Sequence, residues 1–192
     1  MNDTPENQRS TVLVVDDERG LADLYAVYLD EDYETRTAYD GETALEQVDD
    51  DVDAILLDRR MPGLSGDEVL TALREQGYDC PVAMLTAVDP DEDILKLDVD
   101  DYFVKPVDQE EIREAVATLT ARTRYNDEFR SYFATVSKKA AMETNLSEQE
   151  LASSDAYQTL TEEAQAAKED ADAAFTEMMA TDQSPFAGFR EI

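Results

Sequence analysis

The 192 residues contain no histidine, no tryptophan and one cysteine, Cys80. Without histidine, imidazole acid–base chemistry, His-ligated metals and Ser-His-Asp triads are excluded. A single cysteine excludes an internal disulfide framework and a Cys-rich zinc site; Cys80, directly before Pro81, reads as an inert small residue. Positive charge is scarce, with 16 Lys+Arg against 47 Asp+Glu and a formal net charge of −31. That balance excludes a generally basic nucleic-acid binder and a polybasic membrane-surface protein. No apolar run approaches the roughly 20 residues of a spanning helix, and the N-terminus lacks a signal-peptide pattern. A soluble, cytoplasmic chain without membrane attachment is therefore expected. Carboxylates, hydroxyls, lysine and a hard metal are left to carry any chemistry.

The acids are dispersed. Residues 1–121 hold 33 acidic and nine basic side chains, and residues 122–192 hold 14 and seven. They lie within segments of clear apolar periodicity, which argues against an acidic disordered tail. Lysine is rare even among the cations, five against eleven arginines. Such a spread resembles the carboxylate-rich surfaces of salt-in halophiles, where a Debye length of about 3 Å at 1 M screens self-repulsion. The chain is 42% apolar, enough for a core of ordinary size.

Residues 1–10 are polar and read as disordered. Thr11-Val12-Leu13-Val14-Val15 is then an uninterrupted strand-length run, closed by Asp16-Asp17. The pattern returns at Ala54–Leu57 before Asp58, at Val82–Leu85 before Thr86, and at Tyr102–Val104 before Lys105. Continuous apolar strands indicate a parallel sheet covered on both faces. Helix-period stretches separate them: Leu21, Leu24, Tyr25, Tyr28; Ala44, Leu45, Val48; Val69, Leu70, Leu73; Ile94, Leu95, Leu97. Tyr33–Ala38 alternates like an edge strand. The expectation is an α/β, flavodoxin-like doubly wound sheet of five parallel strands in the order 2-1-3-4-5.

After Pro106 a helix is expected from near Asp108, with Ile112, Val116 and Leu119 on the sheet. No proline or glycine interrupts Val107 to Asn145, so it runs past the domain, with Phe129, Phe133, Val136 and Ala140 continuing the stripe. A second helix opens on the capping box Ser147/Glu150, with Leu146 stapling to Leu151. It carries a seam of Tyr157, Leu160, Ala164, Ala167, Ala171, Ala174 and Met178. This seam predicts a close antiparallel hairpin or coiled-coil extension. The domains expected are a disordered 1–10, an α/β domain over 11–121, a helical domain over 122–180 and a flexible 181–192.

Four strand ends thus deliver Asp16, Asp17, Asp58, Thr86 and Lys105 to the carboxyl edge, where open parallel sheets bind ligands. Each residue alone has a plainer reading, as a helix cap, a turn hydroxyl or a solvated lysine. Jointly they form a site. Three crowded carboxylates want a cation, and hard, oxygen-liganded Mg²⁺ fits. With Lys105 and Mg²⁺ the site is neutral and suited to a phosphoryl group.

These motifs resemble the receiver domain of two-component response regulators over residues 10–121. The matching features are Asp16-Asp17, Asp58 within Asp58-Arg59-Arg60-Met61-Pro62-Gly63, Thr86-Ala87 and Lys105-Pro106. The resemblance implies that Asp58 accepts a phosphoryl group from a histidine kinase. It implies that Mg²⁺ is held by Asp17, by Asp58, by the Arg60 backbone carbonyl and, largely through water, by Asp16. Thr86 and Lys105 would hold the phosphoryl oxygens, and Tyr102 is the aromatic that turns inward on activation. The 19-residue interval from Thr86 to Lys105 is short for this family, so its fourth helix is expected to be trimmed. Arg59 and Arg60 replace the usual apolar or amide residues; they read as solvated loop charges, the alternative being an effect on the phosphoryl group.

Residues 122–192 resemble the HalX domain found behind receivers in haloarchaea, a match of context and composition. Output through this tail, as a homodimer or toward transcription machinery, is expected. The stretch Arg122–Met142 has a net charge of +3, which admits DNA contact, although pairing with the acidic second helix is the simpler reading. A Mg²⁺-dependent aspartyl phosphohydrolase is the enzyme alternative, but such enzymes place an acid two residues after the nucleophile, where this chain has Arg60.

Overall fold

The computed structural model describes residues 9–87 and 99–181. Five parallel strands follow the order β2-β1-β3-β4-β5. They are β1 (Thr11–Val15), β2 (Glu34–Ala38), β3 (Val52–Asp58), β4 (Val82–Thr86) and β5 (Asp101–Val104). β1 and β4 are buried along their whole length, as expected of strands covered on both faces. β2, more exposed, takes the edge, where its alternating polar residues meet solvent.

The strand side chains divide by parity between two cores. Val12, Val14, Leu56 and Leu85 face α1 (Arg19–Leu29) and the start of α4 (Gln109–Asn145), packing with Tyr25, Leu29, Ile112, Val116 and Leu119. Leu13, Val15, Leu57 and Met84 face α2 (Gly41–Gln47) and α3 (Gly66–Gln76), packing with Val48, Val69, Leu70, Leu73 and Tyr102. This is the doubly wound arrangement, with crossover helices on both faces. The helical stretch expected around Ile94, Leu95 and Leu97 lies outside the described residues, as do residues 1–8 and 182–192.

The chain divides into two units, with the boundary between Thr120 and Ala121. In the second, α4 continues unbroken to Asn145, α5 spans Glu148–Ala152 and α6 spans Asp155–Thr181. Matched contacts make α4 and α6 antiparallel. Arg124 pairs with Glu177 at 2.8 Å, the Tyr125 and Phe175 rings lie 5.6 Å apart, and the Tyr157 hydroxyl donates to Glu143 at 2.6 Å.

Two expectations about this hairpin are corrected. The second helix is not continuous: the Ser147/Glu150 capping box starts α5, which stops after one turn. Ser153 and Ser154 break it, and the Ser154 hydroxyl accepts the Tyr157 N–H to restart the chain as α6. The α4 stripe is only partly as expected, with Val136 on the protected face and the rest off it. Phe129 is 46% and Phe133 63% exposed, and Ala140 is exposed. The protected face carries Tyr125, Tyr132, Val136, Lys139 and Met142. The alanine seam of α6 is short, so long amphipathic side chains lie along it; the Lys139 ammonium sits 5.7 Å from the Tyr157 ring centre. Among the described residues, no helix is long and apolar enough to cross a membrane.

Candidate functional site

Each strand ends where its apolar run ends, and the next polar residue is set at the carboxyl edge. Asp16 follows β1 and is fully buried; its amide donates to the Ala38 carbonyl, and its Oδ1 accepts the Glu18 N–H at 3.0 Å. Asp17 beside it is exposed. Asp58 closes β3 with 5% exposure, and Thr86 closes β4 with none. Lys105 follows β5, its amide donating to the Thr86 carbonyl at 2.7 Å.

The Lys105 ammonium is the centre of the arrangement. Its Nζ lies 2.7 Å from Asp16 Oδ2 and 3.0 Å from Asp58 Oδ1. The carboxylate oxygens of Asp16, Asp17 and Asp58 fall within 4.8 Å of one another, the one such acidic group among the described residues. Burial raises the Asp58 carboxyl above the usual range, against the lowering effect of the Lys105 hydrogen bond and charge and of the Arg60 backbone N–H; the Asp16 charge adds to the rise. For Lys105, burial pulls the ammonium down, but hydrogen bonds and charge from Asp16 and Asp58 win, and its pKa is raised. One lysine thus sits between two buried acids, with Asp17 beside them.

The loop after Asp58 is tightly built. Arg59 N–H donates to the Leu85 carbonyl at 2.8 Å, and the Arg59 carbonyl accepts from Gly66 at 3.0 Å. Gly66 is the first residue of α3, capped by the reciprocal pair Ser65 and Glu68. A Cβ on Gly66 would lie 2.3 Å from the Asp58 carbonyl oxygen and 2.9 Å from the Arg59 Cα. Glycine is required there because two stretches of backbone meet. Gly66→Ala is expected to cost about 3 kcal/mol, seen as a fall in Tm of about 5–10 °C in concentrated KCl. An unchanged melting curve contradicts this packing.

Arg60 is exposed, as read from sequence. Arg59 is not the solvated charge expected. Its side chain is 12% exposed, and it forks onto Asp67, Nε to Oδ1 at 3.1 Å and Nη2 to Oδ2 at 3.3 Å. Tyr102 is 2% exposed and lies in the α2/α3 core. Periodicity gives no sign of the Arg59–Asp67 pair. The motif Ser65-Gly-Asp-Glu68, a capping-box spacing, does mark where Asp67 is held.

Comparison with known proteins gives the same reading. The family described as "Response regulator receiver domain" matches residues 12–117, and the "HalX domain" matches residues 121–185. A Haloferax volcanii protein named as a transcriptional regulator is 48% identical over 145 residues, 74% of this chain and 25% of that protein. The transcriptional regulatory protein CpxR of Escherichia coli is 37% identical over 121 residues, 61% of this chain and 52% of CpxR. This chain therefore spans about half the length of CpxR and a quarter of the Haloferax protein. The receiver domain of the Francisella response regulator 1452 superposes with a TM-score of 0.55 at 34% identity, covering 60% of this chain and 99% of that domain. The receiver match covers more than half of the chain and the sheet has the strand order of a doubly wound fold: the chain belongs to the response regulator receiver family, and its residues 121–185 match the HalX domain.

Proposed function

We propose that this chain is a cytoplasmic, phosphoryl-accepting regulator of a two-component system, with Asp58 as acceptor and a histidine kinase as donor. The observation that carries the reading is Lys105 Nζ placed between Asp58 and Asp16 at the edge of the sheet. An Asp58 oxygen forms the new O–P bond as the P–N bond to the donor imidazole breaks, and the departing imidazole nitrogen takes a proton from solvent. Burial keeps bulk water from Asp58. Lys105, already within hydrogen-bond distance of Asp58, and the Thr86 hydroxyl then hold the phosphoryl oxygens.

The three clustered carboxylates are the hard oxygen donors that Mg²⁺ takes, and a single lysine leaves them short of positive charge. Asp17 and Asp58, with Asp16 and the Arg60 carbonyl, would hold the ion. It would neutralise the oxygens of the transferring group. Turnover is confined to the protein's own acyl phosphate, its uptake and its hydrolysis.

The signal leaves through the HalX hairpin, toward a second copy of the chain or transcription machinery. Transcriptional regulators among the relatives support such an output. Direct DNA binding is less favoured: Arg124 pairs with Glu177 at 2.8 Å, and Lys139 and Arg130 lie 3.9 Å from Glu143 and Asp127.

The test is uptake of label from acetyl phosphate in Mg²⁺ and concentrated KCl. Lys105→Met is expected to lower the labelling rate by about 100-fold, the scale of one lost charge-stabilising donor. A rate equal to wild type removes Lys105 from the chemistry.

A further inference from the structure

Six large apolar side chains are exposed among the described residues, and four of them stand on the two helices of the hairpin: Phe129 and Phe133 on α4, Phe175 and Met179 on α6. Tyr125, Phe129 and Phe133 recur every four residues, which sets them on one face of α4. The Phe129 and Phe133 rings stack at 6.3 Å, Tyr125 and Phe129 lie 5.9 Å apart, and Tyr125 meets Phe175 of α6 at 5.6 Å. Met179, 58% exposed, is one turn beyond Phe175. The rings thus form one ridge that crosses from α4 to α6. Val136 and Ala140, three and seven residues after Phe133, carry the same face into a groove bounded across the hairpin by Thr161, Ala164 and Gln165. A contiguous apolar face on a chain of net charge −31 marks a contact surface.

The helices that frame this face carry opposite charge. Arg122–Met142 of α4 has five cations against two acids, and α6 has seven acids against Lys168. Such a face complements itself about a twofold axis parallel to the helices, because α4 of each copy then lies over α6 of the other. An axis across the helices would stack acidic α6 on acidic α6. The area is also sufficient. The 27 residues of α6 run about 40 Å, and two helices side by side are about 20 Å wide. That gives about 800 Å², the share each partner contributes to a standard interface.

The geometry points to a second copy of this chain as the occupant of the face: two hairpins pack as a four-helix bundle with Phe129, Phe133, Phe175 and Met179 at its centre. The role of this contact as output rests on the reading of Asp58 as acceptor; the contact itself needs no phosphoryl group. In molar salt the repulsion between two acidic chains is screened within about 3 Å, so the apolar ridge sets the affinity.

The test is sedimentation equilibrium of the full chain in 2 M KCl, with and without acetyl phosphate and Mg²⁺. Wild type is expected to reach twice the chain mass with a Kd below about 10 μM. The double variant Phe129→Ser/Phe133→Ser, changed only at exposed positions, should keep its helical circular dichroism and bind itself about 100-fold more weakly. Met179→Ser, on the other helix, should weaken pairing about tenfold, and it carries the test if the double variant loses helix. A wild type that stays a single chain in both arms overturns the second copy as occupant and leaves the face to a different protein. A dimer that the folded variants do not weaken lies elsewhere on the chain and overturns it equally. Peptide mass spectrometry of the same samples separates the two readings. A dimer without label on Asp58 leaves the contact standing and removes the acceptor; label without a dimer does the reverse.

Discussion

Asp58→Asn is expected to melt at a higher temperature than wild type without Mg²⁺, and to lose the stabilisation that Mg²⁺ gives wild type. In the metal-free protein, Asp58 is 5% exposed and stands among carboxylates that share one lysine. Removing its charge while keeping its shape relieves desolvation and repulsion from Asp16. Lys105 keeps Asp16 as a partner at 2.7 Å. A gain of about 1 kcal/mol, or about 2–4 °C, is expected. In Mg²⁺ at about 100 times its Kd, wild type gains about 2.7 kcal/mol, or about 5–10 °C. The variant, lacking a charged ligand, gains little, so the order of the two melting temperatures reverses. Equal Mg²⁺ shifts in both proteins contradict the metal assignment.

The pH dependence of this difference has a fixed sign. Asp58 has a raised pKa in the folded state, so between the ordinary carboxylate value and that raised value the folded chain binds more proton than the unfolded chain. Its contribution to stability is therefore lost as pH rises through that window. Asp40 and Glu68 are shifted the other way by cap hydrogen bonds and lose their contribution as pH falls. Subtracting the Asn variant cancels these and isolates Asp58. The gap between variant and wild type, measured without metal, should widen with pH across the window and then level off.

The second large effect is that of salt. A formal charge of −31 on 192 residues repels itself over the roughly 10 Å Debye length of 0.1 M salt, and over only about 3 Å at 1 M. With 16 Lys+Arg against 47 Asp+Glu, pairing cannot offset it, and several pairs, such as Lys168 with Asp172 at 3.3 Å, lie on open helix surface and contribute little. Circular dichroism is expected to show a chain partly unfolded in dilute buffer, and a Tm at least about 10 °C higher in 2 M KCl than in 0.1 M. A cooperative fold with a salt-independent Tm contradicts the halophile reading of the acids.

The sheet was legible because its signal is local and doubly buried. Val12 to Val15 and Ile55 to Leu57 are continuous apolar runs, and each is followed by the residue that belongs at the edge. The length of α4 was legible because no helix breaker lies between Val107 and Asn145. Its inner face was not. Hydropathy selects Phe129 and Phe133, which are exposed, along with Val136, which is protected; Tyr132, Val136 and Lys139 line one groove with Ala164. The break at Ser153-Ser154 was hidden for a similar reason: serine fits a helix weakly, and its role as a cap depends on the neighbouring turn. In the site, the edge residues were legible from their place after strands. The Arg59–Asp67 pair joins residues eight positions apart across a loop and a helix start, where no period in the sequence carries information.

The central claim is that Asp58 takes up a phosphoryl group. It is tested most directly by incubating the protein with acetyl phosphate and Mg²⁺ in concentrated KCl and locating the adduct by peptide mass spectrometry. One phosphoryl group on Asp58, absent when Mg²⁺ is chelated and absent in Asp58→Asn, is the predicted result. No adduct on a protein shown to be folded, or an adduct that persists in Asp58→Asn, contradicts it.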